Sequence, residues 1–394
     1  MENVDRITSE KRIQTVLPGG TIGVLGGGQL GRMMALAGRV MGYRFVTLDP
    51  TPDSPCGQVC DKQVVAGYGD EAAAREFAAL SDVITYEFEN VNAQVAAVLE
   101  RESKVPQGSE LLRTTQHRLR EKRALEAAGA MVAPYRSVAT LSELREGVQQ
   151  LGTPCVLKTA TGGYDGKGQA VLRSATDLSD AFTSLGAGSV ELVLEQFVDF
   201  EREISVVAAR GMDGQVRTFP PAENVHVRGI LHTSTVRLAE ESELSLRAQR
   251  LAGTIAEALH VVGLIAVEMF VARDGTLYVN ELAPRPHNSG HYTMDACSVS
   301  QFEQHLRAVC GLPLAEPRLL SPVVMVNVLG EHMEPLMQWL SSGGERRLPE
   351  GMNFKLHLYG KAEAKPGRKM GHINLLTDDV GRAHEWIAAC GIWS

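Results

Sequence analysis

The chain has 394 residues, 44% of them apolar and 22% charged, and a formal net charge of −8 at pH 7. That length exceeds what one hydrophobic core ordinarily serves, so two or three soluble globular domains are expected. The acidic balance opposes binding to nucleic acid or an anionic membrane, and any anionic ligand must be drawn by local basic groups.

Residues Met1–Gly20 are polar and read as a loosely attached extension with no apolar signal core. From Thr21 the pattern alternates. T-I-G-V-L predicts a strand, Gln29–Met41 a helix, F-V-T-L-D a strand, Glu71–Leu80 a helix and V-I-T-Y-E another strand. Strands alternating with helices predict a parallel sheet covered by helices, closing near Pro106. The stretch Thr115–Ala128 predicts one helix, whose His117, Arg118, Arg120, Lys122 and Arg123 read as a solvated face.

Beyond Met131, strands and helices mix. P-C-V-L-K (Pro154–Lys158), A-V-L-R and L-V-L-E-Q-F predict strands, and Asp177–Leu185 predicts a helix. Ser242–Val261 is the best long amphipathic helix; a hairpin follows, then a helix over Gln301–Cys310 and a small β-rich unit from Ser321. The most apolar run, Val261–Ala272, is broken by Glu268 and is too short to span a bilayer. Cysteines stand at 56, 60, 155, 297, 310 and 390. Cys56 and Cys60 have the spacing of a metal pair, but no second pair completes a site, so reduced thiols in a cytoplasmic protein are expected.

The stretch Thr161–Gln169, T-G-G-Y-D-G-K-G-Q, lies between two predicted strands. A phosphate loop of the Walker or Rossmann kind leads instead from a strand into a helix. Four glycines and a lysine between strands point to a flap over polyphosphate, and so to an ATP-dependent enzyme. Lys158, just before it, reads either as a phosphate contact or as an ordinary surface lysine. Gly26–Gly31 fits G-x-G-x-x-G between a strand and a helix, and Asp49 ends the next strand. It supports a Rossmann-like topology and an anion site at the helix N-terminus more than it supports NAD.

In Ala266–Glu281, Asp274-Gly275 suits a two-residue type I′ turn. That register sets Glu268 directly opposite Glu281, with Cβ atoms ~4.5–5.5 Å apart, on a face shared with Phe270, Val279, Ala272 and Leu277. Facing carboxylates repel unless a proton or cation relieves them, and Mg²⁺ suits a carboxylate pair completed by nucleotide phosphates. A solvated pair on an exposed face is the alternative. Glu195–Val198 ends a strand and reads equally as an adenine-edge contact or as a hinge. Arg285–His291 is dense in hydrogen-bonding side chains, and its place beside the carboxylates favours substrate contact over metal ligation by His287 and His291. Lys361, Lys365, Arg368 and Lys369 form a basic cluster, with Pro366-Gly367 as a turn presenting Arg368 to a sugar phosphate or simply to solvent.

Taken together, G-G-G-Q-L-G-R-M, T-Y-E-F-E, G-G-Y-D-G-K-G-Q, E-Q-F-V, N-E-L-A-P-R-P-H-N-S-G-H-Y-T and P-G-R-K-M-G-H resemble the ATP-grasp superfamily. The resemblance runs from Thr21 to the C-terminus and is closest to the N5-carboxyaminoimidazole ribonucleotide synthase family. It implies an α/β and α+β architecture: an extension (1–20), a Rossmann-like parallel-sheet domain (21–115), an ATP-grasp domain (116–315, with a flap unit at about 131–195) and a small β-rich domain (316–394). It implies ATP binding by Arg118, Lys158, Gly163, Tyr164, Asp165, Gly166, Lys167, Gly168, Gln169, Glu195, Gln196, Phe197, Val198, Glu203, His226, Asn280 and Glu281. Glu268 and Glu281 would hold Mg²⁺, with Mn²⁺ as an alternative. Gln29, Leu30, Tyr164, Arg285, His287, Asn288, Ser289, Lys361 and Arg368 would surround 5-aminoimidazole ribonucleotide, and Asp165, Lys158, His287 and Arg285 would act on it and on bicarbonate. A homodimer is also implied. Ala283 stands where many superfamily members place an asparagine metal ligand, and the carboxyaminoimidazole branch looks similar in lacking that asparagine. The rival readings are a formate-dependent glycinamide ribonucleotide transformylase, an NAD-dependent oxidoreductase and a nucleotide sensor without catalysis.

Overall fold

The computed structural model describes residues 15–89, 91, 93–102, 105–163, 167–186, 188–238 and 242–393. The chain first lays down β1 (Thr21–Leu25), α1 (Gln29–Val40), β2 (Arg44–Leu48), β3 (Lys62–Val64), α2 (Glu71–Ala79) and β4 (Val83–Tyr86). Their strands form a four-stranded sheet in the order β3-β2-β1-β4, parallel in every pairing. Ile22, Val24, Leu25, Phe45, Leu48, Val83 and Ile84 are all buried, as strands covered on both faces require. The chain steps outward from β1 to β3 and returns on the far side of β1. A crevice is therefore left at the carboxyl ends of β1 and β4, the switch point where open α/β sheets bind ligands.

Next come α3 (Ala93–Glu102), α4 (Glu110–Thr115) and α5 (Arg118–Ala127). The helix expected over Thr115–Ala128 is α5, which begins only at Arg118: α4 ends at Thr115, and His117 is extended at φ −139° between them. The face expected to be solvated is divided. Arg120 and Arg123 are exposed, while Glu121 and Lys122 are buried.

A second four-stranded sheet, ordered β5-β8-β6-β7, follows from β5 (Tyr135–Val138), α6 (Leu141–Leu151), β6 (Cys155–Thr159), β7 (Gln169–Leu172), α7 (Leu178–Ser184) and β8 (Leu192–Gln196). Leu144 and Val148 of α6 pack on Leu157, Leu192 and Leu194 of this sheet. Strands β6 and β7 are antiparallel, with Lys158 opposite Gln169, so the glycine-rich stretch joins strand to strand. Its Gly168 has φ +71°, and a Cβ there would lie 2.8 Å from Thr159 Oγ1; only glycine meets both conditions without strain. Tyr164, Asp165 and Gly166 of the flap lie outside the described residues, as does most of the 1–20 extension.

The remaining elements are β9 (Phe200–Arg210), β10 (Val216–Thr218), β11 (Ala222–Val227), β12 (Ile230–Val236), α8 (Glu243–Ala258), β13 (Gly263–Ala272), β14 (Leu277–Ala283), α9 (Thr293–Ala296), α10 (Gln301–Val309), β15 (Val323–Leu329), α11 (Met333–Ser341), β16 (Asn353–Leu358), β17 (Lys369–Leu376) and α12 (Val380–Ala389). They build a nine-stranded sheet ordered β14-β13-β9-β11-β12-β15-β17-β16, with β10 on β9. The C-terminal strands extend this sheet through the β12–β15 pairing, and the unit contains two helices, α11 and α12, that cover Val324, Val326, Ile373 and Leu375. Among the described residues no helix is long and apolar enough to cross a membrane.

Helix α10 ties the first sheet to the rest of the molecule. Its Phe302, Leu306 and Val309 share one core with Ile22, Met33, Met34 and Phe45. Truncation of Phe302, which is 0% exposed, removes a large buried ring at this junction. Phe302→Ala is expected to lower unfolding stability by about 3–5 kcal/mol, measured as a shift in the midpoint of chemical denaturation.

Candidate functional site

The crevice of the first sheet, the β6–β7 hairpin and the edge of the large sheet enclose a cleft of about 660 Å³. Of the residues expected from sequence, it is lined by Gln29, Leu30, Arg118, Lys158, Gly163, Lys167, Gln169, Glu195, Gln196, Phe197, Val198, Glu203, His226, Glu268, Asn280, Glu281, Arg285, His287 and Asn288. Segments far apart in the chain thus meet at one concave site, as small-ligand sites ordinarily do.

One wall is the inner face of the second sheet. Glu195 on β8 is paired across to Val156 on β6, so its side chain shares a face with Lys158, two residues further along. Lys158 Nζ donates to Glu195 Oε2 at 2.9 Å, and Lys122 Nζ lies 3.3 Å from Oε1. Burial alone would push the Glu195 carboxyl up; Lys158, Lys122 and Arg118 together bring it below the usual carboxylate value. Opposite stand Glu203 and His226, with Nδ1 of the imidazole 2.7 Å from Oε2. Burial disfavours the charged His226, but Glu203 outweighs it and the pKa is raised. Phe200 and Phe270, which also line the cleft, stack with ring centroids 4.5 Å apart at 12°, an apolar floor suited to a flat base.

Strands β13 and β14 place Glu268 opposite Glu281, as expected, but by a different route. The turn is not a two-residue one. Gly275 N donates to Ala272 O and Ala272 N to Thr276 O, both at 2.9 Å, with Gly275 at φ +80°. Arg273, Asp274 and Gly275 therefore form a three-residue loop closed by a glycine bulge. A second irregularity between Glu268 and Met269 leaves Asn280 as the extra residue and restores the register. Between the two bulges every side chain of β14 changes face. Phe270 faces Tyr278, and Leu277 and Val279 pack into the core beside Met269 and Val271. The expectation that Leu277 and Val279 share the carboxylate face is thus corrected.

Each of these carboxylates has a basic partner. Arg118 Nη1 lies 3.3 Å from Glu281 Oε2, and His287 Nε2 lies 3.1 Å from Glu268 Oε1. Burial first, and then Glu281, push the Glu268 carboxyl up to about 8; Glu121 is likewise pushed up to about 8 by burial and Glu281. A carboxylate pair held this reluctantly in one wall fits a hard divalent cation. Among the described residues no third His, Cys, Asp or Glu completes a ligand cluster, so phosphate oxygens would complete the shell.

The segment after β14 is held from both sides. Arg285 pairs bidentately with Glu89, Nε with Oε2 and Nη2 with Oε1 at 3.0 Å. His287 Nδ1 accepts from Ser289 N at 3.4 Å and lies 2.8 Å from Ser289 Oγ. Ser205 Oγ in turn donates to Ser289 Oγ at 2.7 Å, and Asn224 Nδ2 donates to Ser205 Oγ at 2.9 Å. These directions leave the proton of His287 on Nε2, donated to Glu268. Burial, with Arg285, Lys369 and His226 nearby, keeps the imidazole well below the ordinary histidine pKa and therefore neutral. Asn288 and Asn327 exchange amide hydrogen bonds at 3.0 and 2.9 Å.

At the switch point the glycine cluster is engaged by the protein itself. Glu87, directly after β4, accepts from Gly28 N and, at 2.7 Å, from Gly31 N. Asp49 accepts from Gly27 N at 2.8 Å, Thr51 N at 2.8 Å and Tyr68 Oη at 2.5 Å. The N-terminus of α1 is thus capped by a carboxylate, and the acid that would read a ribose is otherwise bound. A dinucleotide pyrophosphate has no place there.

Gly168, Ser289, Lys361 and Arg368 stand outside the lining. Ser289 is buried beneath His287. Lys361 Nζ donates to Lys369 O at 2.7 Å. Arg368 is exposed, with Nη1 donating to Glu363 O at 3.0 Å, and Lys369 is the member of that cluster that lines the cleft. Glu87, Glu89 and Phe200 line it too, although the sequence pattern did not mark them as cleft residues, as do Phe270 and His291, which it placed on the carboxylate face and in the substrate-contact segment. The T-Y-E-F-E motif carried a signal for the first two, since charge directly after a buried strand marks a strand end. Cys56 and Cys60 are free thiols with Sγ atoms 3.4 Å apart.

The raised carboxyls have a consequence for stability. Between the ordinary value of 4.5 and about 8, folded Glu268 keeps a proton that the unfolded chain has lost. Its contribution to stability therefore falls as pH rises through that window. Glu268→Gln, which cannot ionise, should become progressively more stable than the parent across it, by up to roughly 1.4 kcal/mol per pH unit. Thermal unfolding as a function of pH measures this, and a constant gap would refute it.

Comparison with known proteins agrees with this geometry. Residues 20–116 match the ribonucleotide synthetase preATP-grasp domain, 123–302 the ATP-grasp domain, and 323–385 the phosphoribosylaminoimidazole carboxylase C-terminal domain. The N5-carboxyaminoimidazole ribonucleotide synthase of Bacillus subtilis is 48% identical over 374 residues, 95% of each chain. That of Staphylococcus epidermidis is 40% identical over 370 residues, 94% of this chain and 96% of its own. The ADP complex of an N5-carboxyaminoimidazole ribonucleotide synthetase superposes with a TM-score of 0.90 at 52% identity, over 96% of this chain and 98% of that one. The Aspergillus clavatus enzyme, in complex with ADP and 5-aminoimidazole ribonucleotide, superposes with a TM-score of 0.85 at 31% identity, over 94% and 97%. The chain belongs to the N5-carboxyaminoimidazole ribonucleotide synthase family of ATP-grasp proteins.

Proposed function

We propose that this protein is an ADP-forming carbon–nitrogen ligase of de novo purine biosynthesis. It carboxylates 5-aminoimidazole ribonucleotide to N5-carboxyaminoimidazole ribonucleotide at the expense of ATP and bicarbonate. The observation that carries this is the convergence of Lys158, the Glu268–Glu281 pair and the Arg285–Asn288 segment on one cleft. ATP lies along the second sheet, with its base near Glu195–Val198 and its phosphates under the flap. The ribonucleotide lies toward Gln29, Leu30 and Asn288, with Lys361 and Arg368 on its phosphate side. In this reading the first domain spans 21–115, the ATP-grasp domain 116–315 with its flap unit at about 131–195, and the C-terminal domain 316–394. The enzyme works as a cytoplasmic homodimer.

Glu268 and Glu281 would hold Mg²⁺, or Mn²⁺ in its place, which when bound neutralises charge on the phosphoryl oxygens. An oxygen of bicarbonate attacks the γ-phosphorus, ADP leaves, and carboxyphosphate forms. Such transfers depend on positioning and charge neutralisation, which Lys158 and Arg118 supply here. Carboxyphosphate then splits to phosphate and CO₂, and the amine nitrogen forms the new bond to that carbon. His287, with Nδ1 engaged and its proton on Nε2, orients Glu268, and the released phosphate takes the amine proton. Closure of the flap keeps water from the intermediate, and Tyr164 and Asp165 are the flap residues assigned to substrate in this reading.

Against an oxidoreductase stands Glu87 at the N-terminus of α1. The test is ADP release with bicarbonate and the ribonucleotide omitted in turn. Release is expected only with both present, together with formation of the carboxylated product; release without either one overturns the assignment. Glu281→Gln should lower kcat by roughly 10²–10³-fold while leaving the fold intact by circular dichroism, and chelation of divalent metal should abolish turnover. A protein that sensed nucleotide without catalysis would show neither effect.

A further inference from the structure

Behind the nucleotide wall lies a buried lysine that the reaction does not use. Lys122, on α5, is 2% exposed and does not line the cleft, whereas Lys158 and Glu195 do. Its Nζ lies 3.3 Å from Glu195 Oε1 and 5.7 Å from the centroid of the Tyr135 ring. Tyr135 is itself paired with Glu195 across β5 and β8, so Lys122, Tyr135 and Glu195 form one packed group. On the cleft side, Lys158 Nζ reaches the other oxygen of the same carboxylate at 2.9 Å. One carboxylate therefore bridges two ammonium groups, one turned toward the ligand and one away from it.

We propose that Lys122 is a positioning residue for nucleotide: it neutralises Glu195 from behind, leaving the charge of Lys158 for the phosphates. Charge balance is the reason. Glu195 and Lys158 alone would make a neutral buried pair, and a lysine whose charge is already answered is a poor point charge for phosphate. With Lys122 added, the group carries one net positive charge, and of its two ammonium groups it is Lys158 that lines the cleft. Glu195, hydrogen-bonded to Lys158 through Oε2 and paired in charge with Lys122 through Oε1, also fixes where the Lys158 ammonium sits. Burial, with Lys158 nearby, holds the Lys122 pKa below the ordinary lysine value, and Glu195 opposes that shift.

The inference rests on reading the cleft as the ATP site, and the test separates the two. Magnesium–ADP dissociation constants by calorimetry and steady-state KM values are compared for the parent, Lys122→Met, Glu195→Gln and the double variant, all as full-length protein. Lys122→Met should weaken ADP binding and raise the KM for ATP about tenfold, with less than about twofold change in the ribonucleotide KM. In the Glu195→Gln background the same change should cost less than about twofold, because no carboxylate remains to consume the charge of Lys158. Equal losses in both backgrounds would mean that Lys122 is only structural, and an unchanged KM for ATP would overturn the proposal outright. Should Lys122→Met not fold, Lys122→Gln, which removes the charge but keeps a polar end to the side chain, carries the same test. Failure of the parent to bind ADP would instead defeat the reading of the site.

Discussion

A carboxylate withdrawn from water is tolerated only where a cation, a hydrogen-bond donor or a proton answers it, and the cleft is organised around that requirement. Glu195 is met by Lys122 and Lys158, Glu281 by Arg118, Glu268 by His287, Glu203 by His226 and Glu89 by Arg285. In most of these pairs the partners come from different elements, so the pairing also locks helix α5, the second sheet and the large sheet into register around the cleft. Where no cation suffices, the carboxyl keeps its proton, as at Glu121 and Glu268. In the proposed function, a polyphosphate and its metal would enter a site whose charges are already arranged to receive them, which is the preorganisation that phosphoryl transfer needs.

Backbone geometry decides which charges reach the cleft. The three-residue turn and the bulge at Asn280 each shift β14 by one residue, and their effects cancel at Glu281. The stretch between them turns Leu277 and Val279 into the core while Glu281 keeps its place opposite Glu268. A bulge beside a site is a recurrent way to re-aim a side chain without disturbing the strand that carries it. The hairpin thereby contributes to a hydrophobic core and to a carboxylate pair at once.

The first sheet contributes differently. Its switch point offers a crevice, yet the helix dipole there is met by Glu87 rather than by a ligand phosphate. The G-x-G-x-x-G turn thus serves packing and positioning, and Gln29 and Leu30 on the first turn of α1 present themselves to the cleft. The same motif in a dinucleotide-binding protein would keep those amides for pyrophosphate. Its meaning is set by the acidic residue at the end of β4, 59 positions beyond Gly28 in the chain.

Much of this was readable in the chain. The alternation of strands and helices through Tyr86 and the strands on either side of the flap rest on periodicity and turn residues, which act over a few positions, whereas the pairing of Glu268 with Glu281 survives its misread turn only because the bulge at Asn280 cancels the shift. The motif set as a whole carried the family. The extra residue in the 272–276 turn, the inward side of α5 and the capping of α1 by Glu87 were not readable. Arg118 meets a residue 163 positions away, and nothing local distinguishes it or Lys122 from the exposed Arg120 and Arg123. Local pattern settled which segments become strands, helices and loops, because backbone preference and hydrophobic period are short-range. Tertiary structure alone decided which charges are buried and with whom, because an ion pair between distant segments exists only once the fold has brought them together.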